Sequence, residues 1–181
     1  MHDAVRQWVA RFAKETEYPT VIEVGSRNIN GTIRDQILAK EWIGIDIIDG
    51  PCVDIVGDAI EYIPDFRGRA DLVLCLEALE HYENTKFLTY ALGQFAKPGA
   101  LVIATAAGPG RGEHSGIDEN PIREYEHYRN LGVGDFEIQW GEVVGCEIKD
   151  ADWRVCWRRT HTPGELKKVL ECETKDGQTV L

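Results

Sequence analysis

Three carboxylates and two imidazoles occupy places where their chemistry would be useful. Glu23 lies inside the apolar run Val21-Ile22-Glu23-Val24, which gives way to Gly25-Ser26-Arg27 and is closed by Asn30-Gly31. A second apolar run, Trp42-Ile43-Gly44-Ile45, ends in Asp46. A strand that delivers an acid into a glycine turn, followed by a strand that ends in another acid, builds a pocket for an adenosine-bearing cofactor. The turn lets backbone amides approach the ligand, and the Asp46 carboxylate can accept from both ribose hydroxyls. A carboxylate next to an apolar Val24 costs stability unless it is paired or solvated, so Glu23 needs a partner. Asp58, in Gly57-Asp58-Ala59, suits either a ligand contact or a helix cap. His81 ends Leu76-Glu77-Ala78-Leu79-Glu80-His81, and His114 sits in the glycine-rich stretch GPGRGEHSG. Ligands of open α/β sheets bind beyond the carboxyl ends of the strands, so both histidines are placed to face a second substrate. Either could take a proton from a hydroxyl, or be a histidine bonded to backbone or exposed in a loop. Glu80 and Glu113 read as solvated, and His127, between Tyr125 and Tyr128, as a possible lining residue.

The elements that must position these groups follow from periodicity. Val5, Trp8, Val9, Phe12 and Ala13 recur at helical spacing, predicting an amphipathic helix over 3–15 that packs on a sheet or covers the ligand. Strands are expected at 20–24, 42–46, 53–56, 72–76 and 100–105, the fourth apolar throughout, as a strand covered on both faces should be. Helices are expected at 31–38 with Asn30 as cap, in a short piece capped by Asp58 and ended near Pro64, and over the stripe Phe87, Leu88, Ala91, Leu92, Phe95 behind Asn84. Lys97-Pro98-Gly99 reads as a turn and 108–120 as a loop. Asn120-Pro121 then opens a helix that Gly132 would stop. Two β-rich runs, 136–149 and 153–159, precede either a short helix from Thr162-Pro163-Gly164-Glu165 or a hairpin turning at Asp176-Gly177. Strands alternating with helices predict an α/β fold with a parallel, doubly wound sheet.

At 181 residues the chain is expected to be one domain, large enough for a core that needs no disulfide or metal staple. A net charge of −11 disfavours nucleic acid and anionic membranes as partners. The basic stretch Arg154, Arg158, Arg159, Lys167, Lys168 is interleaved with apolar residues and reads as the wet face of a terminal strand. Trp140, Trp153 and Trp157 read as core and strand surface. The five cysteines, Cys52, Cys75, Cys146, Cys156 and Cys172, form no C-x-x-C pair. Cys75 and Cys156 lie in apolar runs as small hydrophobes, so a reduced, cytoplasmic setting without zinc is inferred. His2 and His161, like the other histidines, show no metal-ligand spacing, so no metal is expected. No apolar run approaches the ~20 residues a membrane span requires, and the N-terminus lacks a signal-peptide core.

Together, EVGSRNING, GID at Asp46, GDA at Asp58, DLVLCLEALEH and KPGALVIAT resemble a class I S-adenosylmethionine-dependent methyltransferase over roughly 19–108, about half the chain. The resemblance implies a Rossmann-like, mostly parallel sheet with helices on both faces and an antiparallel C-terminal strand. It implies S-adenosyl-L-methionine as cofactor, with Glu23 and Gly25 at its methionine end and the amides from Ser26 onward holding the carboxylate. Asp46, followed by Ile47, would take the ribose, and Asp58 with Ala59 the adenine edge. A backbone carbonyl at the end of the fourth strand, in Cys75 to Glu77 and so about Leu76, would meet the ammonium. The family's second glycine is replaced here by Arg27, the next being Gly31; the Arg27 guanidinium would pair with the methionine carboxylate or stay in solvent. Asn30 would contact the cofactor or cap the next helix. The chain is thus divided into a cofactor half at 19–108 and acceptor-side elements at 1–18 and 109–181. The expected reaction is methyl transfer to a small-molecule hydroxyl or amine, with His81 and His114 the candidate bases and the oligomeric state left open. DNA is not expected, because Leu76-Glu77-Ala78-Leu79 stands where base methyltransferases carry their Pro-Pro-aromatic or Pro-Cys motifs. Two alternatives differ in class: a non-catalytic cofactor-binding or regulatory protein, and a nicotinamide-dependent oxidoreductase. The latter wants G-x-G-x-x-G, which Gly25 does not begin.

Overall fold

A computed structural model describes residues 3–13, 16–118, 120–138, 141–160, 172–173 and 179–180. Helix α1 (Asp3–Phe12) leads into β1 (Tyr18–Val24), β2 (Ala39–Asp46) and β3 (Ile55–Val56). A 3-10 turn at Ala59–Tyr62 runs into α2 (Ile63–Phe66), then β4 (Ala70–Leu76), a 3-10 turn at Leu79–His81, α3 (Thr85–Phe95) and β5 (Ala96–Ala107). After a long irregular segment come β6 (Gly141–Lys149), β7 (Asp152–Arg159), β8 (Cys172–Glu173) and β9 (Thr179–Val180). They form one sheet in the order β3-β2-β1-β4-β5-β7-β6-β8-β9. β1, β2, β3, β4 and β5 are parallel, and β7 enters antiparallel to both β5 and β6. The expected α/β architecture, parallel sheet and antiparallel C-terminal strand are all present.

Alternation along β4 sends Leu72, Leu74 and Leu76 to one face and Val73 and Cys75 to the other, all buried. The first face is covered by α1 through Val5, Trp8 and Val9, and by Ile33 and Ile37. The second is covered by α2 and α3, whose Phe66, Leu88, Leu92 and Phe95 pack with Trp153 and Trp157 of β7. α1 is therefore a sheet-packing helix; none of its described residues lines the cavity described below.

Several local expectations are corrected. No helix forms over 31–38, because the backbone groups that would build its ladder are bonded elsewhere. Asn28 Oδ1 accepts from the Gly31 amide (2.8 Å), and the Thr32 carbonyl accepts from the Arg6 guanidinium (2.6 Å). There is thus no helix here for Asn30 to cap, and buried Ile33 and Ile37 help anchor the segment. The helix from Asn120-Pro121 is absent for the same reason. The Asn120 carbonyl accepts from Ser115, while the Arg129 and Leu131 amides donate to the Glu80 and Ala107 carbonyls. The Lys97-Pro98-Gly99 turn persists as a bulge inside β5, where pairing jumps from Ala70↔Ala96 to Leu72↔Leu101. Arg154 is not on a wet face: β7 is an interior strand, and the guanidinium, 1% exposed, is held by Glu147 and Asp152. The C-terminal hairpin is supported by the antiparallel β8–β9 pairing, whereas 162–165, His2, Trp140, His161, Lys167 and Lys168 lie outside the described residues. Cys52, Cys75 and Cys156 are free, but Cys146 is disulfide-bonded, at odds with the expectation of reduced thiols throughout. Among the described residues no helix is long and apolar enough to cross a membrane.

Candidate functional site

The carboxyl ends of β1, β2 and β4, with the segment that follows β5, enclose a cavity of about 870 Å³. One wall is β1 and its turn, presenting Glu23, Gly25, Ser26 and Arg27, with Asn30 and Gly31 beyond. A second carries Asp46, Ile47, Asp58 and Ala59. The third is the exit of β4, with Leu76, Glu77 and His81; His114 joins them from the loop after β5. Every residue singled out from the sequence as a cofactor contact or candidate base lines this one cavity.

Gly25 has φ +71°, and a Cβ there would fall 2.4 Å from the Ala78 Cβ. Only glycine lets the β1 turn lie against the β4 exit. Glu23, 4% exposed, has the partner that burial demands: Arg34 Nε donates to its Oε2 at 3.0 Å. Arg34 is itself fixed by the Cys52 carbonyl (2.6 Å) and by stacking on Trp42. Burial nevertheless pushes the Glu23 pKa upward, with Arg34 opposing it. Arg34 was not singled out from the sequence; the only signal was that a buried acid needs a nearby cation.

Asp46 is oriented by two amides, Arg27 N donating to Oδ2 (3.1 Å) and Ile48 N to Oδ1 (3.0 Å). Asp58 caps the Ala59–Tyr62 turn through Ile60 N (3.0 Å) and accepts from the Tyr82 hydroxyl at 2.7 Å. Ala59 is buried, and Ile47 stands 69% exposed at the rim. Glu77 adopts φ +57°, rare for a non-glycine residue, with its amide tied to the Thr105 carbonyl. Arg111 reaches toward Glu77 (3.8 Å) while bonding Asp152 at 2.6 Å, linking the β4 exit to β7. In the turn after β1, buried Ser26 Oγ and Arg27 Nη1 lack hydrogen-bond partners among the described residues. The Arg27 side chain lies along Gly50, so it is not the freely solvated loop residue that the sequence allowed.

On the acceptor side the His81, His114 and Tyr128 rings form a triangle with centroids 4.9–5.4 Å apart. Gly116 lies against His81, where a Cβ would come within 2.9 Å of the ring. Burial, reinforced by His114, lowers the His81 pKa to about 4, so this ring is neutral at ordinary pH. His114 Nδ1 is hydrogen-bonded to the Gly112 carbonyl at 3.0 Å. Glu80 is corrected outright: it is 0% exposed, and burial beside Glu77 pushes its pKa up to about 8. Glu113 is exposed as expected. Glu80, His81 and His114 also place one ligand atom each within 4.8 Å of one another, a grouping that the sequence spacing did not suggest.

The segment 108–130 over this side is stapled internally. Ser115 Oγ donates to Glu126 (2.6 Å), and Arg123 bonds both Glu126 and Asp118. His127 and Tyr125 also line the cavity. Trp153 Nε1 donates to the Leu131 carbonyl at 2.7 Å, fixing the far end of the segment to β7.

No protein-family model matches the chain. Its sequence is similar to a ubiquinone biosynthesis O-methyltransferase of Erwinia tasmaniensis, at 26% identity across 53% of this chain and 45% of that protein. The chain thus spans less than half the length of that relative. Its structure is similar to that of a Pyrococcus horikoshii protein, with TM-score 0.62, 11% identity and 86% and 88% of the two chains covered. It is also similar to a Listeria monocytogenes protein provisionally assigned as an S-adenosylmethionine-dependent methyltransferase, with TM-score 0.56, 13% identity and 88% and 100% covered. The parallel strands in the order β3-β2-β1-β4-β5 and the antiparallel β7 beside β5 agree with these likenesses: the chain has the fold of the class I S-adenosylmethionine-dependent methyltransferases.

Proposed function

We propose that the chain binds S-adenosyl-L-methionine and transfers its methyl group to a hydroxyl or amine of a small molecule. The observation that carries this reading is the convergence of Glu23, Asp46, Asp58 and Glu77, from four separate stretches of sequence, on one cavity around the Gly25 turn. Asp46 retains free lone pairs on both amide-bonded oxygens, enough to accept from two ribose hydroxyls. Ile47 would cover the adenine ring and Asp58 its amine edge, beside Ala59. Glu23, with one oxygen held by Arg34, offers the other to the ammonium; Ser26, the unpartnered Arg27 Nη1 and the loop to Asn30 and Gly31 would hold the carboxylate. The Leu76–Glu77 backbone would complete the methionine end. This leaves residues 19–108 as the cofactor half, with the acceptor pocket drawn from 111–127.

Methyl transfer from a sulfonium is an in-line displacement, so the protein's part is alignment and exclusion of water. An amine acceptor attacks with its own lone pair once neutral. A hydroxyl must lose a proton, and His81 and His114 are the side chains placed to manage it.

Titration calorimetry with S-adenosylmethionine, S-adenosylhomocysteine and NADH tests the reading. Heat is expected from the first two only, with Asp46→Ala weakening both at least about tenfold as charge-assisted bonds are lost. Tight NADH binding with no response to the sulfur nucleosides overturns it. Turnover is then followed as S-adenosylhomocysteine release over a panel of small hydroxyl and amine acceptors.

A further inference from the structure

We propose that Glu80, His81 and His114 form a site for one divalent transition-metal ion at the acceptor end of the cavity. Their ligand atoms lie within 4.8 Å of one another, although the residues belong to two separated segments. Metal–ligand bonds of about 2.0–2.2 Å require ligand atoms about 3–3.5 Å apart, so modest side-chain rotation closes the set.

The independent observation is Glu80. Its side chain is 0% exposed, and its carboxylate oxygens have only the Glu80 and Ala107 backbone amides near them, with no side-chain hydrogen bond among the described residues. A buried carboxyl stays ionised only with a cation against it, and a bound metal ion would be that cation. The charge of Arg111 acts on Glu80, but its ion pairs run to Glu77 at 3.8 Å and Asp152 at 2.6 Å.

The imidazoles are arranged as ligands are. His114 Nδ1 is engaged by the Gly112 carbonyl, which fixes the proton there and turns Nε2 into the free lone pair. His81 is hydrogen-bonded to the His127 backbone and keeps a buried Nδ1 with no partner. A ring nitrogen tied to a carbonyl while the other stays free is the usual support for a metal-bound histidine. Two imidazoles and one carboxylate suit zinc, iron(II) or cobalt(II) better than magnesium or calcium, which prefer all-oxygen shells.

Because His81 and His114 line the cavity and Glu80 does not, positions left open on such an ion would be reached from the cavity. There the ion would bind an acceptor hydroxyl and lower its pKa, so that the proton leaves to solvent without a free imidazole. This last role rests on the methyl-transfer reading; the site itself does not.

The test uses the whole chain, stripped with a chelator and free of cofactor and acceptor. Cobalt(II) is titrated by its visible absorption, and zinc by calorimetry. One equivalent per chain is expected, with Glu80→Gln and His114→Ala each weakening binding at least about tenfold. His114 is half-buried on a loop, so His114→Ala should keep the wild-type circular dichroism and melting temperature even if Glu80→Gln does not. Absence of saturable binding, wild-type affinity in a folded His114→Ala, or equal affinity for magnesium overturns the proposal. A metal-binding chain that ignores S-adenosylmethionine would instead overturn the proposed function and leave the site standing.

Discussion

A carboxylate that is 4% exposed within a parallel sheet is tolerated only with a cation against it, and for Glu23 that cation is Arg34. Replacing Arg34 by Met would leave the acid buried and unpaired, at a cost of about 3 kcal/mol. Urea unfolding measures this directly. A loss below about 1 kcal/mol, the range of exposed pairs, would show that the pair is not the support described. The difference between Glu23 and Arg34 also shows what a sequence reveals about single residues. Glu23, Asp46 and Asp58 are legible because each sits at a local junction of apolar run and turn. Arg34, Tyr82 and Glu80 owe their importance to what the fold brings beside them, over separations of 11, 24 and 34 residues in the Arg34–Glu23, Tyr82–Asp58 and Glu80–His114 pairs. Glu80 misled because a charged residue beside a histidine at a helix end is ordinarily wet.

Among the elements, the segment 108–130 carries a staple that acid should release. The Arg123 guanidinium, followed by the Asn120 hydrogen bond, draws Asp118 down to about 2 from an ordinary 3.8, and hydrogen bonds from Ser115 and Arg123 lower Glu126 against its burial. A depressed carboxylate contributes stability above its ordinary pKa and loses it as pH falls through the folded value. The staple should therefore hold at neutral pH and release between about pH 4 and pH 2. Pepsin cleavage between Gly108 and Asn130 should rise over that interval, and Arg123→Gln should already be cut at pH 4. Cleavage that is flat across the interval, or identical in the variant, would contradict this. Strands were readable because a run such as Leu72 to Leu76 has few alternatives once buried on both faces. The missing helices at 31–38 and 120–132 were not, since distant partners such as Arg6, Glu80 and Ala107 take the backbone groups that a local ladder would use.

For the molecule as a whole, the sheet is the rigid frame and the cavity lies along one rim of it, so ligand binding there should be read as global stability. At a hundredfold excess over Kd a ligand that binds only the folded state contributes about 2.7 kcal/mol. For a chain of this size that raises Tm by roughly 5–11 °C. S-adenosylhomocysteine should produce this shift in a scanning calorimeter and NADH should not; equal shifts, or none, would count against the assigned cofactor. The overall architecture was readable from alternation alone, but the sheet order was not, because β7 bypasses β6 to pair with β5. That placement sets a schedule for synthesis. β5 emerges from the ribosome with its outer edge bare, and Asp152 to Arg159, the stretch that seals it, is still untranslated. At about 5–20 residues per second the wait is roughly 2–10 seconds. During that interval the newborn chain presents an unsealed, greasy ribbon to the crowded cell, and it is there that a holding chaperone would make its difference.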